Sequence, residues 1–169
     1  MSDLQQSPEI LYQELQGVLH CVRTDLSILK ASPVDATWSE KVAYLGYQLS
    51  LMSQTPCPVQ HHFAPGVYVR EIFMPAGTIV IGKIHRTEHM NLIDRGVISL
   101  FSAEGTRLLK APCVFNSGTG VQKVLYIHED SIWKTIHVTD ETDIPTLERE
   151  LSYIPDEPLI GSEAVRMIQ

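Results

Sequence analysis

The sequence predicts a mainly β protein, a barrel set behind a pair of N-terminal helices. Three observations carry this. Apolar residues recur at steps of three and four as far as Met52. From Pro56 to Val138 the rhythm changes to period two, or to short apolar runs broken by turn residues. Helical signals return only in the tail, which disfavours an alternating α/β sheet.

The chain has 169 residues, enough for one domain with a core of its own. It is 44% hydrophobic and 20% charged, with a net charge of −7 and scattered basic residues. No basic stripe is present to neutralise phosphates, so nucleic acid is not an expected partner. No run approaches the ~20 apolar residues of a membrane span, and no leader pattern is visible. No membrane association is expected, and the expected location is the cytoplasm. The three cysteines, Cys21, Cys57 and Cys113, are far apart and are expected as free thiols.

Residues 1–55 read as an αα-hairpin. Ser7-Pro8 forms a helix start, and Leu11, Leu15, Val18, Val22, Leu26 and Leu29 follow as one stripe ending near Lys30 and Pro33. Thr37-Trp38-Ser39-Glu40 is a capping box, followed by Val42, Leu45, Leu49 and Met52. Both stripes pack on the rest of the chain, or the first joins a second copy in a homo-oligomer, most simply a two-fold dimer.

Residues 56–140 read as about eight short strands. Val67–Met74 alternates, Thr78–Ile84 is β-branched, and His85–Glu88 is a bend. His89–Asp94, Val97–Phe101, Thr106–Lys110, Cys113–Asn116, Lys123–Ile127 and Ser131–Val138 follow, with glycine turns between several of them. Residues 141–169 form a tail with a short helix around Leu147–Leu151.

The segment Pro75–Phe101, PAGTIVIGKIHRTEHMNLIDRGVISLF, holds a glycine turn, a strand, two close histidines and a glycine before the next strand. It resembles the first motif of the cupin superfamily. KAPCVFNSGTGVQKVLYIHEDSIW is similar in layout to the second motif. TEHMNLIDRG and HEDSIWKTIH resemble small cupin-like proteins encoded by phages and prophages. The resemblance implies a jelly-roll barrel over roughly residues 60–140. Counting back from Gly96, the family's glutamate position falls on His89, its second histidine on His85 and its first on Lys83. The second-motif histidine position falls near Gln122.

Residue chemistry points the same way. His89, Asn91 and Ile93 share one strand face, and His85 and His89 flank a tight bend, so their rings converge. Two neutral imidazoles with open positions suit a divalent metal such as iron, manganese, nickel or zinc. Two ligands are few, so His137 or a carboxylate such as Glu88 is expected to join. The expected ligand-binding set is Lys83, Asn91, Gln122 and His137.

His85-Arg86-Thr87-Glu88-His89 also matches a protease zinc string, but that string needs a helix and this one lies between strands. Ser117–Gly120 has the composition of a phosphate cradle without the following helix. His61-His62 reads as part of an inert linker, His128–Asp130 as a solvated hairpin bend, and Trp38, Tyr126 and Trp133 as core. The function expected first is a cupin-like module binding a small molecule or metal without evident turnover. The alternatives are a metal-dependent isomerase or dioxygenase and a structural protein such as a phage virion component.

Overall fold

A computed structural model describes residues 18–31 and 34–155. Its first sheet orders β1 (Val18–Arg23), β4 (Thr78–Gly82), β10 (Val124–Ile127), β7 (Val97–Ser102) and β8 (Gly105–Lys110). The second orders β2 (Val59–Ala64), β3 (Val67–Met74), β11 (Ser131–Val138), β6 (His89–Arg95) and β9 (Cys113–Ser117). A small third sheet pairs β5 (Ile84–His85) with β12 (Ser152–Tyr153). Every pairing is antiparallel. The two large sheets face each other across Ile72, Met74, Val80, Ile93, Ile98, Ile127 and Trp133, in the manner of a jelly roll.

The strand β4 explains the arrangement of layers. Val80 faces the space between the sheets, while Ile79 and Ile81 face outward and are also fully buried. They are covered by α1 (Trp38–Ser50), which lays Val42, Leu45 and Leu49 on the outer side of the first sheet. A strand buried on both faces reads as an unbroken apolar run, as Ile79–Ile81 does. The helix begins where the capping box places it: Thr37 Oγ1 accepts from the Glu40 backbone N–H, and the Glu40 carboxylate accepts from that of Thr37.

The other expected N-terminal helix is corrected. Val18–Arg23 is a strand beside β4, and Leu26–Ala31 is a 3₁₀ turn. The rest of that stripe, with Leu11 and Leu15, lies outside the described residues. A bulge between Val18 and His20 misled the reading. It resets the alternation, so Val18 and Cys21 fall on the inner face and Val22 on the outer. Spacings of three and four thus arose within a strand. Among the described residues before Pro56 there is one α-helix and a barrel strand in place of the expected αα-hairpin, and the barrel takes in residues well before Pro56. Val18 and Val22 are buried within the chain itself, so neither is available to a second copy.

Two further features position the site. Gly96 closes the β6–β7 turn at φ +96°, and a Cβ there would collide with Ser131 Oγ and the Asp130 backbone, so no other residue fits. The tail helix α2 (Ile144–Leu151) is capped by Asp143 and buries Leu147. It leads into β12, which stitches the tail onto β5. All three cysteines are free, with the buried Cys21 and Cys57 sulfurs 2.7 Å apart.

Candidate metal centre

The inner face of the second sheet changes character in steps of two residues. At one level Ile72, Trp133, Ile93 and Cys113 are cross-strand partners. Two residues along, the partners are Arg70, Thr135, Asn91 and Phe115. Two further on, Tyr68 pairs with His137, and His89 pairs with Ser117. Strand parity alone carries all three levels to the interior. The strands thus grade from an apolar floor to an imidazole rim.

His85 joins that rim from β5. Its ring centroid lies 4.0 Å from that of His89 and 5.4 Å from that of His137, and the latter two are 5.0 Å apart. One ring nitrogen from each of the three lies within 4.8 Å of the others. Tetrahedral metal–nitrogen bonds of about 2.0–2.1 Å put such atoms about 3.3 Å apart, so the set would have to close by up to about 1.5 Å.

The bend Arg86–Glu88 holds the rings in place. His89 Nδ1 donates to the Thr87 carbonyl at 3.0 Å, because a carbonyl only accepts. That leaves the lone pair on His89 Nε2, which is buried without a partner, as is His85 Nδ1. Fixing one nitrogen with a backbone carbonyl is how a metal-ligating histidine is oriented. Thr87 Oγ1 also lies 3.5 Å from His137 Nδ1. The backbone of His85 is pinned by β12, and its carbonyl accepts from Gly120 N–H at 2.9 Å. The glycine turn once suggestive of a phosphate cradle therefore buttresses His85.

Burial holds all three imidazoles in the neutral form that a metal requires. It pushes His85 down to about 2, with help from the neighbouring His89, His137, Lys123 and Arg70, and His137 down to about 4. His89 is lowered too, again chiefly by burial. The donor set is three imidazoles, with no carboxylate in the cluster among the described residues.

The remaining expected residues have distinct places. Asn91 is fully buried and bonded: its amide donates to Ser117 Oγ at 2.9 Å, and its Oδ1 accepts from Trp133 Nε1 at 3.0 Å. It holds the floor to the rim. Lys83 lines the cavity beside His85 and lies 3.5 Å from Glu148 of α2. Gln122 is buried, and its backbone carbonyl accepts from Trp38 Nε1, which ties the loop before β10 to α1. Glu88 is not part of the histidine cluster.

Sequence reasoning missed Arg70 and Lys123. Arg70 shares inward parity with Tyr68, Ile72 and Met74, and an arginine among inward apolar residues was the available signal. Lys123 shares parity with Leu125 and Ile127, one position from the residue that the family count selected. Both line the cavity with His85.

No protein-family model matches the sequence, and no curated protein matches it. Solved structures resemble part of the chain. Several of these structures are described as cupin or cupin-like proteins. They include a cupin-2 domain protein from Shewanella frigidimarina, at 14% identity and TM-score 0.41 over 55% of this chain and 90% of that one. A cupin-like protein from Thermotoga maritima matches at 14% identity and TM-score 0.44, over 50% and 70%. An acetylacetone dioxygenase from Acinetobacter johnsonii matches at 14% identity and TM-score 0.43, over 50% of this chain and 61% of the dioxygenase, under two thirds of its length.

Proposed function

We propose that this chain is a cupin-type binding module in which His85, His89 and His137 hold one divalent first-row metal ion. One observation carries the reading: three buried, neutral imidazoles converge, and two of them offer ring nitrogens with no hydrogen-bond partner. A buried polar atom left unpaired costs about 1–3 kcal/mol, so leaving two at one point is unfavourable unless something occupies it. Imidazole donors suit iron, nickel, copper or zinc better than magnesium or calcium. When bound, such an ion would supply a Lewis acid beside the neighbouring cavity. The chain's own part is to keep the imidazoles neutral, to orient His89 through Thr87, and to line the approach with Lys83, Arg70 and Lys123.

The test is metal analysis of protein purified without a histidine tag, stripped with chelator and dialysed against iron(II), manganese, nickel or zinc. The expected result is one ion per chain, with affinity lowered at least a hundredfold in His89→Ala. Failure of every ion to bind stoichiometrically would end the reading.

A second reading, turnover of the isomerase or dioxygenase kind, is favoured by the count of donors. Three protein ligands leave positions open, as catalytic sites do and closed structural sites do not. Oxygen uptake by the iron-loaded protein with small carbonyl compounds separates a dioxygenase from a binder.

A further inference from the structure

Behind the histidines lies a cavity of about 60 Å³, room for roughly four water-sized groups. Its two ends differ in chemistry. The floor is apolar, made by Ile72, Met74, Val80, Leu125 and Trp133. The upper end carries Arg70, Lys83 and Lys123 next to His85.

The two lysines at that end differ in their partners. Lys83 faces Glu148, which also lines the adjoining space below α2. Lys123 has no carboxylate within ion-pair distance among the described residues. It stands immediately before β10 with inward parity, and its backbone carbonyl accepts from Gly82 N–H, so the residue beside it contributes no side chain. Its charge and that of Arg70 both act on His85. Lys123 is therefore left without a counter-charge among the described residues, at the end of the cavity that Arg70 and Lys83 also line. A partly buried ammonium with no counter-charge is unfavourable, and an anionic ligand relieves it.

We propose that this cavity takes a small organic carboxylate, its anionic end held by Lys123 and its short apolar body on the Trp133 floor. The inference rests on the metal-centre reading only for the ion beside which the carboxylate would lie, and it names the ligand class of that site. The apolar floor selects an organic acid over inorganic phosphate, which has no apolar part to bury. Arg70 and Lys83 add to the positive field, and Lys123 is the anchoring residue.

The experiment is calorimetric titration of butyrate, butyramide and inorganic phosphate into zinc-loaded wild type, Lys123→Met and Lys123→Arg. Butyrate is expected to bind wild type at least tenfold more tightly than butyramide or phosphate does. The same preference should be lost in Lys123→Met and kept within about threefold in Lys123→Arg, since one charge–charge contact of this kind is worth a factor of ten or more. Lys123→Met should melt no lower than wild type, and Lys123→Gln serves the same comparison if it does. Equal binding of butyrate and butyramide, tighter binding of phosphate, or an unchanged Lys123→Met overturns the proposal. Equilibrium dialysis with zinc reports separately on the metal centre. If zinc does not bind, the titration is read on metal-free protein: butyrate binding that depends on Lys123 upholds the proposal, and its absence overturns it.

Discussion

The floor and the rim of the second sheet use the same strands and the same inward positions, yet they do opposite work. Trp133 on the floor is 6% exposed and His137 on the rim 3%, so burial does not distinguish them. Satisfaction does. The Trp133 indole N–H bonds Asn91, whereas His89 Nε2 and His85 Nδ1 are buried with no partner. The floor gains free energy from buried apolar area, and the rim gives up some of it to hold bare nitrogen lone pairs. Stability and binding are thus separated by four residues along β11.

The largest expected effect breaks the floor. Trp133→Ala removes a core aromatic and strands Asn91 Oδ1, and should cost about 3–5 kcal/mol in urea unfolding. Metal affinity should change only as far as the fold does. A loss below about 1 kcal/mol would mean that the floor is not where stability resides.

The next effect comes from the rim and depends on pH. His137 has a folded pKa near 4 against an ordinary value of 6.5. The unfolded chain therefore binds a proton that the folded metal-free protein refuses. Stability from this group is fully present above pH 6.5 and is lost as pH falls toward about 4, up to about 3 kcal/mol over that window. His85 and His89 act in the same direction, and His85 goes on losing stability below pH 4, because its folded value is near 2. Urea midpoints of metal-free wild type and His137→Asn across pH 4–7 should show a shallower slope in the variant. Parallel slopes would remove burial as the reason for neutral imidazoles.

Metal binding should then reverse the weakness of the rim. At a free zinc concentration one hundred times Kd, linkage raises unfolding free energy by about 2.7 kcal/mol. A melting temperature that rises with zinc, falls again with chelator and does not respond in His89→Ala is the expected pattern. An equal rise in the variant would place zinc elsewhere.

The strand block was legible because alternation is strict where one face is buried. Tyr68, Ile72 and Met74 on β3 show it in sequence, whereas on β11 it shows only in burial, since the inward Thr135 and His137 are polar. The strand β1 was not legible, because its bulge imitates helical spacing. Of the site, His85 and His89 were visible from their spacing around a bend. His137 was only a candidate helper, since a contact spanning about fifty residues leaves no local trace and emerges from the pairing of β11 with β6. Lys123 was hidden by a count that landed one residue early, and a one-residue shift exchanges the two faces of a strand.

The smallest effect sharpens the comparison by leaving the strand in place and changing only the face. Lys134 follows Trp133 on β11 and points outward, where its ammonium lies 2.7 Å from Asp94 Oδ2 and 3.5 Å from Glu71 Oε2. Asp94 is half exposed, and Glu71 also approaches His62 at 3.4 Å, so the pair sits in a small, wet charge network. Solvent screens such contacts, and ordering a long side chain opposes them, so exposed pairs contribute about 0.2–1 kcal/mol. Lys134→Ala should therefore cost less than about 1 kcal/mol, several times less than truncating its neighbour Trp133. Most of that cost should vanish in 1 M sodium chloride, where the screening length shrinks to about 3 Å. Urea unfolding of wild type and variant at low and high salt measures both quantities. A salt-independent loss of several kcal/mol would show that Lys134 acts through packing of its stem, and that the outer face of β11 contributes to stability as the floor does.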